Sequence, residues 1–264
     1  MSNPELSIII VSFNSEKELK NCLESIFETA GKNFEVIVID NDSQESSVAI
    51  IKSFKEAILV ENDKNLGFAK AVNQGLKVAK GSYYLLLNPD TRATGGAVMT
   101  LLACAKAQTG LAVIGPKLMN LDGTTQSSCF NLPSIQNAIL EFWFGRKEKF
   151  GKYYPKSQKP TEVEAVVGAA MLIPKEAINK VGFFDEKYFM YFEDLDWCRR
   201  ASKVGLKIYY CPKAKFLHEH GASGKEIPQK THKWLVESSK IYYGLLKYYL
   251  ITLIILFGRK FISR

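Results

Sequence analysis

Two stretches of this chain, LSIIIV at residues 6–11 and FEVIVID at residues 34–40, are apolar without alternation and rich in β-branched side chains. A strand with one wet face alternates apolar and polar residues, so an unbroken run implies burial on both faces. Between them, Ser15-Glu16-Lys17-Glu18 has the S-x-x-E form of a capping box. The segment it opens carries Leu19, Leu23, Ile26 and Phe27 at helical spacing. The order then repeats. A helix through Val48, Ile51 and Phe54 is followed by a short strand at 58–60 and a helix at 67–80 stopped by Gly81. A strand at 83–87 (YYLLL) and a helix at 94–107 come next. Strands alternating with helices build right-handed βαβ units, which predicts an α/β chain with a Rossmann-like, mostly parallel sheet flanked by helices.

After about residue 110 the pattern changes. Asp122-Gly123 between extended segments predicts a hairpin turn. Residues 130–160 are basic, aromatic and aperiodic, and read as a mobile excursion. Strand character returns at 163–173, interrupted by Gly168-Ala169-Ala170, and is followed by a helix from Glu193 to Gly205 and a strand at 207–210. No repeat or linker composition divides the chain. Residues 1–225 therefore read as one domain and 226–264 as a C-terminal helical appendage. The uncharged run at 248–257 is ten residues long, whereas a membrane span needs roughly 20. Lys247, Arg259, Lys260 and Arg264 flank it, and Tyr242, Tyr243, Tyr248 and Tyr249 suit a headgroup interface. Attachment to a membrane surface is the expectation; a helix packed on the domain is the alternative.

Composition narrows the classes. A chain of 264 residues that is 47% hydrophobic can bury a sizeable core. Its net charge of +8 favours anionic partners, such as a phosphorylated ligand or an anionic membrane. The basic residues are scattered without a base-reading motif, so no nucleic-acid partner is expected. The five cysteines form no C-x-x-C pair and read as reduced thiols of a cytosolic protein. No basic region precedes the first apolar run, so no secretory signal is expected.

In parallel sheets, ligands sit beyond the carboxyl ends of the strands. Four segments reach that edge: Ser12-Phe13-Asn14, Asp40-Asn41-Asp42-Ser43, Asn65-Leu66-Gly67-Phe68 and Asn88-Pro89-Asp90. Individually they could be helix caps or turns. Together they line up Asp40, Asp42 and Asp90, carboxylates that repel unless a cation or ligand offsets them. A second unusual stretch, YFMYFEDLDWCRR at 188–200, runs five large apolar residues into Glu193, Asp194 and Asp196. A helix N-terminus accounts for the acids but not for the aromatics before them.

These segments resemble family 2 glycosyltransferases over residues 5–225. SIIIVSFN, VIVIDNDS, NLGFAKAVNQG, LLLNPDT, GAAMLIP and FDEKYFMYFEDLDWCRR occur in the family's order, followed by His218, Gly221 and Ser223. The NPDT and YFEDLD wording is similar to rhamnosyltransferase-type members. The resemblance implies a GT-A fold and an inverting transfer of a sugar, rhamnose by this likeness, from a dTDP- or UDP-sugar. The implied acceptor is a hydroxyl on a glycan or lipid-linked acceptor in cell-surface polysaccharide synthesis, at the cytoplasmic face of the cell membrane. Ser12 and Asn14 would line the nucleotide pocket, with Asp40 on the base and Asp42 beside it. Asn65, Gly67, Phe68 and Asn73 would close over nucleotide and sugar. Asn88-Pro89-Asp90 stands where the family has D-x-D, so Asp90 becomes the main acidic ligand of Mn2+ or Mg2+. His218 would complete that metal site, with His220 as the competing choice. Asp194 would be the catalytic base and Glu193 its orienting neighbour, with Tyr191 and Trp197 toward the acceptor. Gly168-Ala169-Ala170 would lie beneath the donor sugar. A carboxylate against aromatic walls is partly desolvated, which raises its pKa and suits a base. Two other readings use the same residues, a nucleotidyltransferase and a non-catalytic nucleotide-sugar-binding module of a membrane assembly. The first usually carries a glycine-rich basic loop where this chain has Ser12-Phe13-Asn14-Ser15.

Overall fold

The computed structural model describes residues 3–219 and 228–262. Its first half alternates as the apolar runs predict: β1 (Leu6–Ser12), α1 (Glu16–Thr29), β2 (Phe34–Asp40), α2 (Ser47–Ser53), β3 (Ala57–Glu61), α3 (Phe68–Val78) and β4 (Tyr83–Leu87). Then come β5 (Thr91–Ala93), α4 (Ala97–Lys106), β6 (Leu111–Met119), β7 (Cys129–Phe130), α5 (Ile135–Phe142) and β8 (Lys152–Tyr153). The chain continues through β9 (Thr161–Val163), β10 (Ala165–Val166), β11 (Ala170–Pro174), α6 (Lys175–Val181), α7 (Glu193–Lys203) and β12 (Lys207–His218). Helices α8 (Pro228–Tyr243) and α9 (Leu245–Ile262) close it.

The main sheet runs β3-β2-β1-β4-β11-β6-β12-β5, with β9 added beside β12. Pairing is parallel from β3 to β4, antiparallel on both sides of β11, and parallel again between β6 and β12. Both faces are covered. Ile8 and Ile10 join Leu19, Leu23 and Ile26 of α1 on one side, and Ile9 joins Val72 and Leu76 of α3 on the other. That split of adjacent β1 residues is why the run could not alternate.

Register positions the site. Ser12 pairs with Asp40, and Ile10 with Leu87, so β1, β2 and β4 end together. Strand β11 starts at the same edge, Ala170 opposite Leu87. Antiparallel pairing of β12 with β5 sets His218 opposite Thr91. A residue 128 positions after Asp90 in the chain thereby arrives beside it.

Three local expectations need correction. Ser15 precedes α1 but does not cap it with its side chain. Its hydroxyl donates to the Phe13 carbonyl at 3.3 Å, and Glu45 instead accepts from the Glu16 N–H at 2.7 Å. Residues 130–160 are an ordered layer and not a mobile excursion. Strands β10, β7 and β8 form a small antiparallel sheet. Ser134 caps α5, and the Glu141 carboxylate gathers the N–H groups of Lys149 and Phe150. Strands of two residues give no readable periodicity, which hid this layer. Third, Asp122-Gly123 does form a turn, closed by Gly123 N–H to the Asn120 carbonyl at 3.0 Å. It makes only a single bridge, Met119 to Thr125, in place of a ladder.

The two C-terminal helices behave differently. Helix α8 packs on the 188–192 segment, with Trp234 against Phe189 (ring centroids 4.8 Å) and Tyr242 against Phe192 (5.3 Å). Helix α9 turns away and rests one face on α5. Trp143 Nε1 donates to the Ile254 carbonyl at 3.0 Å, and a Cβ added at Gly258 would overlap the Phe142 carbonyl. Its other face is open, with Leu246 87% exposed. Among the described residues no single helix is long and apolar enough to cross a membrane; α8 and α9 make a pair bent by 118°.

Candidate active site

A cleft of about 440 Å3 opens over the shared carboxyl edge. Asn88 and Asp90 after β4 form its floor with His218; Asn65, Gly67 and Phe68 form one wall. Tyr191, Glu193 and Asp194 form a second wall, with Asp194 beside the entry to β11. Asn41 joins them. It is buried, and its Nδ2 donates to Asn65 Oδ1 at 3.1 Å and to the Gly67 carbonyl at 3.3 Å. Gly67 has φ +85°, and an added Cβ would lie 2.6 Å from the Phe189 carbonyl oxygen. Only glycine lets α3 begin there while Phe68 N–H donates to that same carbonyl at 2.7 Å.

The floor sets a buried carboxylate beside an imidazole. Gln126 Nε2 donates to the His218 carbonyl and to Asn120 Oδ1, both at 2.6 Å. This turns Gln126 Oε1 toward the imidazole, 2.8 Å from Nδ1. Asn120 is itself fixed through Thr124 to the Asp122 carboxylate. The network sets Nδ1 as the donor to Gln126 Oε1 and turns Nε2 into the cleft. Nε2 faces Asp90 Oδ1 at 3.4 Å. That oxygen is buried and lacks a hydrogen-bond partner among the described residues. A buried carboxylate oxygen beside an imidazole nitrogen is a donor set suited to a divalent ion, so Asp90 and His218 fit two positions of its shell. The described residues contain no cluster of three or more His, Cys, Asp or Glu arranged for a metal. The remaining ligands would therefore come from phosphate or water. His220 lies outside the described residues, as do Gly221 and Ser223.

The wall that carries Glu193 and Asp194 answers the question posed by 188–200. Tyr191 and Phe192 both have left-handed backbones, φ +70° and +67°, at a cost of roughly 1–2 kcal/mol each. The aromatics hold that strain: Phe189 and Phe192 are clamped by α8, and Ser238 Oγ donates to the Met190 carbonyl at 2.7 Å. The bend delivers Glu193 and Asp194 to the cleft at the start of α7. Asp194 Oδ2 accepts from Gly168 N–H at 2.9 Å and Oδ1 from Leu195 N–H at 2.7 Å. Burial raises its pKa, while those two N–H groups and Lys152 oppose the rise. At Glu193 a backbone N–H opposes the rise less effectively. Glu193 is 6% exposed, its Oε2 lacks a hydrogen-bond partner among the described residues, and burial plus the Asp194 charge push its pKa up to about 8. Two adjacent carboxyls thus divide by surroundings, Asp194 accepting two backbone N–H bonds in the cleft wall while Glu193 Oε2 is buried without a partner among the described residues.

That division has a stability consequence. The folded chain holds the Glu193 proton more tightly than the unfolded one, so stability falls as pH rises from the ordinary value of 4.5 toward about 8. Glu193→Gln cannot ionise and escapes this loss. Its melting temperature should match wild type near the low end of that window and exceed it at the high end. Parallel melting curves across the window would show that Glu193 has no raised pKa.

Six expected residues lie off the cleft lining. Trp197 is fully buried, donates from Nε1 to the Gly182 carbonyl at 2.9 Å and stacks on Phe184. It is a core residue and makes no acceptor wall. Asn73 ties α3 to the loop before α7 through both atoms of the Phe184 peptide, bonding N–H and C=O. Asp40 spends both oxygens on Ser43, N–H at 2.9 Å and Oγ at 2.7 Å. Asp42 accepts from Gln44 Nε2 and Asn14 from Gln44 N–H, so both brace the β1 and β2 loops. Ser12 Oγ is buried without a partner among the described residues. Asp196 pairs with Arg199 and Arg200 at 2.7 and 2.8 Å. The structure adds Phe130, Lys152, Phe189 and Trp234 to the lining. Of these, Phe189 alone stood in a segment read as part of the site; Phe130 and Lys152 lie in the stretch read as an excursion.

A family model for glycosyl transferase family 2 matches residues 7–182. The chain is similar to the N-acetylglucosaminyl-diphospho-decaprenol L-rhamnosyltransferase of Mycobacterium tuberculosis, 27% identical over 241 residues, covering 84% of this chain and 78% of the relative. It is also similar to the rhamnosyltransferase WbbL of Escherichia coli, 25% identical over 244 residues, covering 88% and 90%. Among solved structures, GalNAc-T7 with UDP, GalNAc and Mn2+ superposes with a TM-score of 0.64 at 16% identity, over 82% of this chain and 44% of that one. The mannosyltransferase PcManGT from Pyrobaculum calidifontis, in complex with GDP-Man and Mn2+, gives 0.63 at 16% identity over 100% and 75%. At such identities the likeness is one of fold, and the fold is GT-A.

Proposed function

This chain belongs to glycosyl transferase family 2 and is a glycosyltransferase, and we propose that it transfers a sugar, rhamnose in our reading, from a dTDP- or UDP-sugar with inversion. The acceptor in this reading is a hydroxyl of a lipid-linked glycan, and the product is a cell-surface polysaccharide precursor. The two rhamnosyltransferase relatives support the sugar, and the first relative's name supports the lipid-linked acceptor. The observation that carries the mechanism is Asp194, held by Gly168 and Leu195 N–H groups across the cleft from the Asp90–His218 floor. The acceptor oxygen attacks the anomeric carbon, and its proton passes to Asp194. The bond from that carbon to the diphosphate oxygen breaks, and its electron pair leaves with the nucleoside diphosphate. Mn2+ or Mg2+ held by Asp90 and His218 would neutralise the charge gathering on that diphosphate. Tyr191, Phe192 and Trp234 offer faces for a sugar ring and keep water from the reacting carbon. The test is a calorimetric titration with dTDP, UDP, GDP and CDP in the presence of Mn2+. Micromolar, metal-dependent binding of dTDP or UDP is expected; binding of none by folded protein would overturn the reading.

The open face of α9 supports peripheral attachment at the cytoplasmic face of the membrane. Leu246, Tyr249, Leu253 and Leu256 are exposed there, and Phe144 after α5 is 71% exposed. Arg146, Lys147 and Lys149 follow Phe144 and are exposed too. Apolar side chains beside cations suit an anionic bilayer surface. Wild type should float with vesicles containing phosphatidylglycerol, and Leu253→Glu with Leu256→Glu should remain in the soluble fraction. Equal flotation of both proteins would remove α9 from this role.

A further inference from the structure

Lys152 has no part in the mechanism above, yet it is the one lysine or arginine among the described residues that lines the cleft. It also lines a second cavity of about 340 Å3, which shares His218 and Val167 with the cleft. Asn120, Thr125, Gln126 and Ser127 supply that cavity's polar lining, and no carboxylate among the described residues faces it. Neutral amides and hydroxyls around a single cation make a site for an anion. The ammonium is placed by its surroundings. Lys152 pairs with Phe130 across β7 and β8, and its Nζ stands 5.5 Å from the centroid of the Phe130 ring. It is open to the cleft but crowded by protein, so burial lowers its pKa while the Asp194 charge raises it.

We propose that Lys152 and the cavity beside it bind the diphosphate of a lipid-linked acceptor, a deepening that rests on the transferase reading given above. Two features favour the acceptor's diphosphate over the donor's. The donor's negative charge would be met by the divalent cation that Asp90 and His218 would hold on the cleft floor. Lys152 instead stands near Asp194, where the acceptor hydroxyl has to arrive, and each perturbs the other's titration. The chain also marks a route. From exposed Trp143 and Phe144, through exposed Arg146, Lys147 and Lys149, it enters the cleft at Lys152. A phosphate carried on a membrane-held lipid meets four cations to one carboxylate, Glu148, along that path.

The test compares two acceptors on the full chain, a lipid-diphosphate-linked sugar and the same sugar on an alkyl chain without phosphate. Wild type should favour the first in kcat/KM. Lys152→Met should reduce that preference by about 10- to 100-fold, and Lys152→Arg should restore most of it. Thr125→Val, a milder change in the second cavity, should shift the preference in the same direction. Inorganic pyrophosphate in EDTA, which leaves the metal corner empty, should bind wild type and not Lys152→Met. Calorimetry with dTDP or UDP and Mn2+ separates the two claims. If wild type binds neither nucleotide, the transferase reading fails. If nucleotide binding is normal but Lys152→Met leaves the preference unchanged, the acceptor site fails. If Lys152→Met instead weakens nucleotide binding, the site belongs to the donor diphosphate and the proposal is overturned.

Discussion

Asp194→Asn should lower the turnover of sugar transfer by about 100- to 10,000-fold, while nucleotide binding with Mn2+ stays close to wild type. The asymmetry follows from where Asp194 sits. It contributes nothing to the Asp90–His218 floor, so the donor's diphosphate still has its anchor. It is the member of the Glu193–Asp194 pair whose charged form the Gly168 and Leu195 N–H groups and Lys152 favour, and its amide counterpart cannot take the acceptor proton. The substitution also disturbs the wall itself. Both carboxylate oxygens accept backbone N–H bonds, from Gly168 and Leu195. An asparagine offers a single acceptor oxygen, and its NH2 group must face one of those donors. A stability loss of about 1–2 kcal/mol is therefore expected alongside the kinetic effect. The measurement is single-turnover transfer together with calorimetry on the same preparation. Full activity in the variant would remove Asp194 as base. Loss of nucleotide binding in parallel would mean that the wall had collapsed, and Asp194→Glu would then separate position from charge.

How much of this was readable from residues alone depended on what kind of order held each part. The sheet edge was legible because strands buried on both faces leave unbroken apolar runs, and their carboxyl ends fall at Ser12, Asp40 and Asn88. The glutamate–aspartate pair was legible because acids pressed against aromatics are costly without a purpose. Trp197 was misplaced, although Trp197, Cys198 and Ala201 already showed the spacing of a buried helix stripe. Proximity to carboxylates in sequence outweighed that pattern. Asp40 and Asn73 are polar and near the edge, yet their hydrogen bonds run to backbone and side chains of neighbouring loops. No spacing reveals that. Lys152 and Gln126 were invisible for a different reason. The first sits on a strand of two residues, and the second matters through a relay reaching His218, 92 positions away. Contacts of that separation leave no local periodicity.

Asp90→Ala should abolish the Mn2+ dependence of nucleotide binding, weakening affinity by about 100-fold or more, since even outer-shell losses at metal sites cost 10- to 100-fold. The apo protein should respond in the opposite sense. Asp90 Oδ1 is buried without a hydrogen-bond partner among the described residues and stands 3.4 Å from His218 Nε2. A buried carboxylate in that position destabilises the fold until a cation arrives. Removing it should leave the melting temperature in EDTA equal to wild type or higher, while the rise produced by Mn2+ with nucleotide disappears. A residue that served only structure would lower the first value and spare the second. Gln126→Leu provides the graded comparison. Gln126 touches no metal and acts by holding the proton on Nδ1 of His218, so its loss should weaken Mn2+-dependent binding by about tenfold without lowering the EDTA value in proportion. If Asp90→Ala kept wild-type metal dependence, the cation would lie elsewhere in the cleft, and the pairing of β12 with β5 that brings His218 to Asp90 would lose its functional meaning.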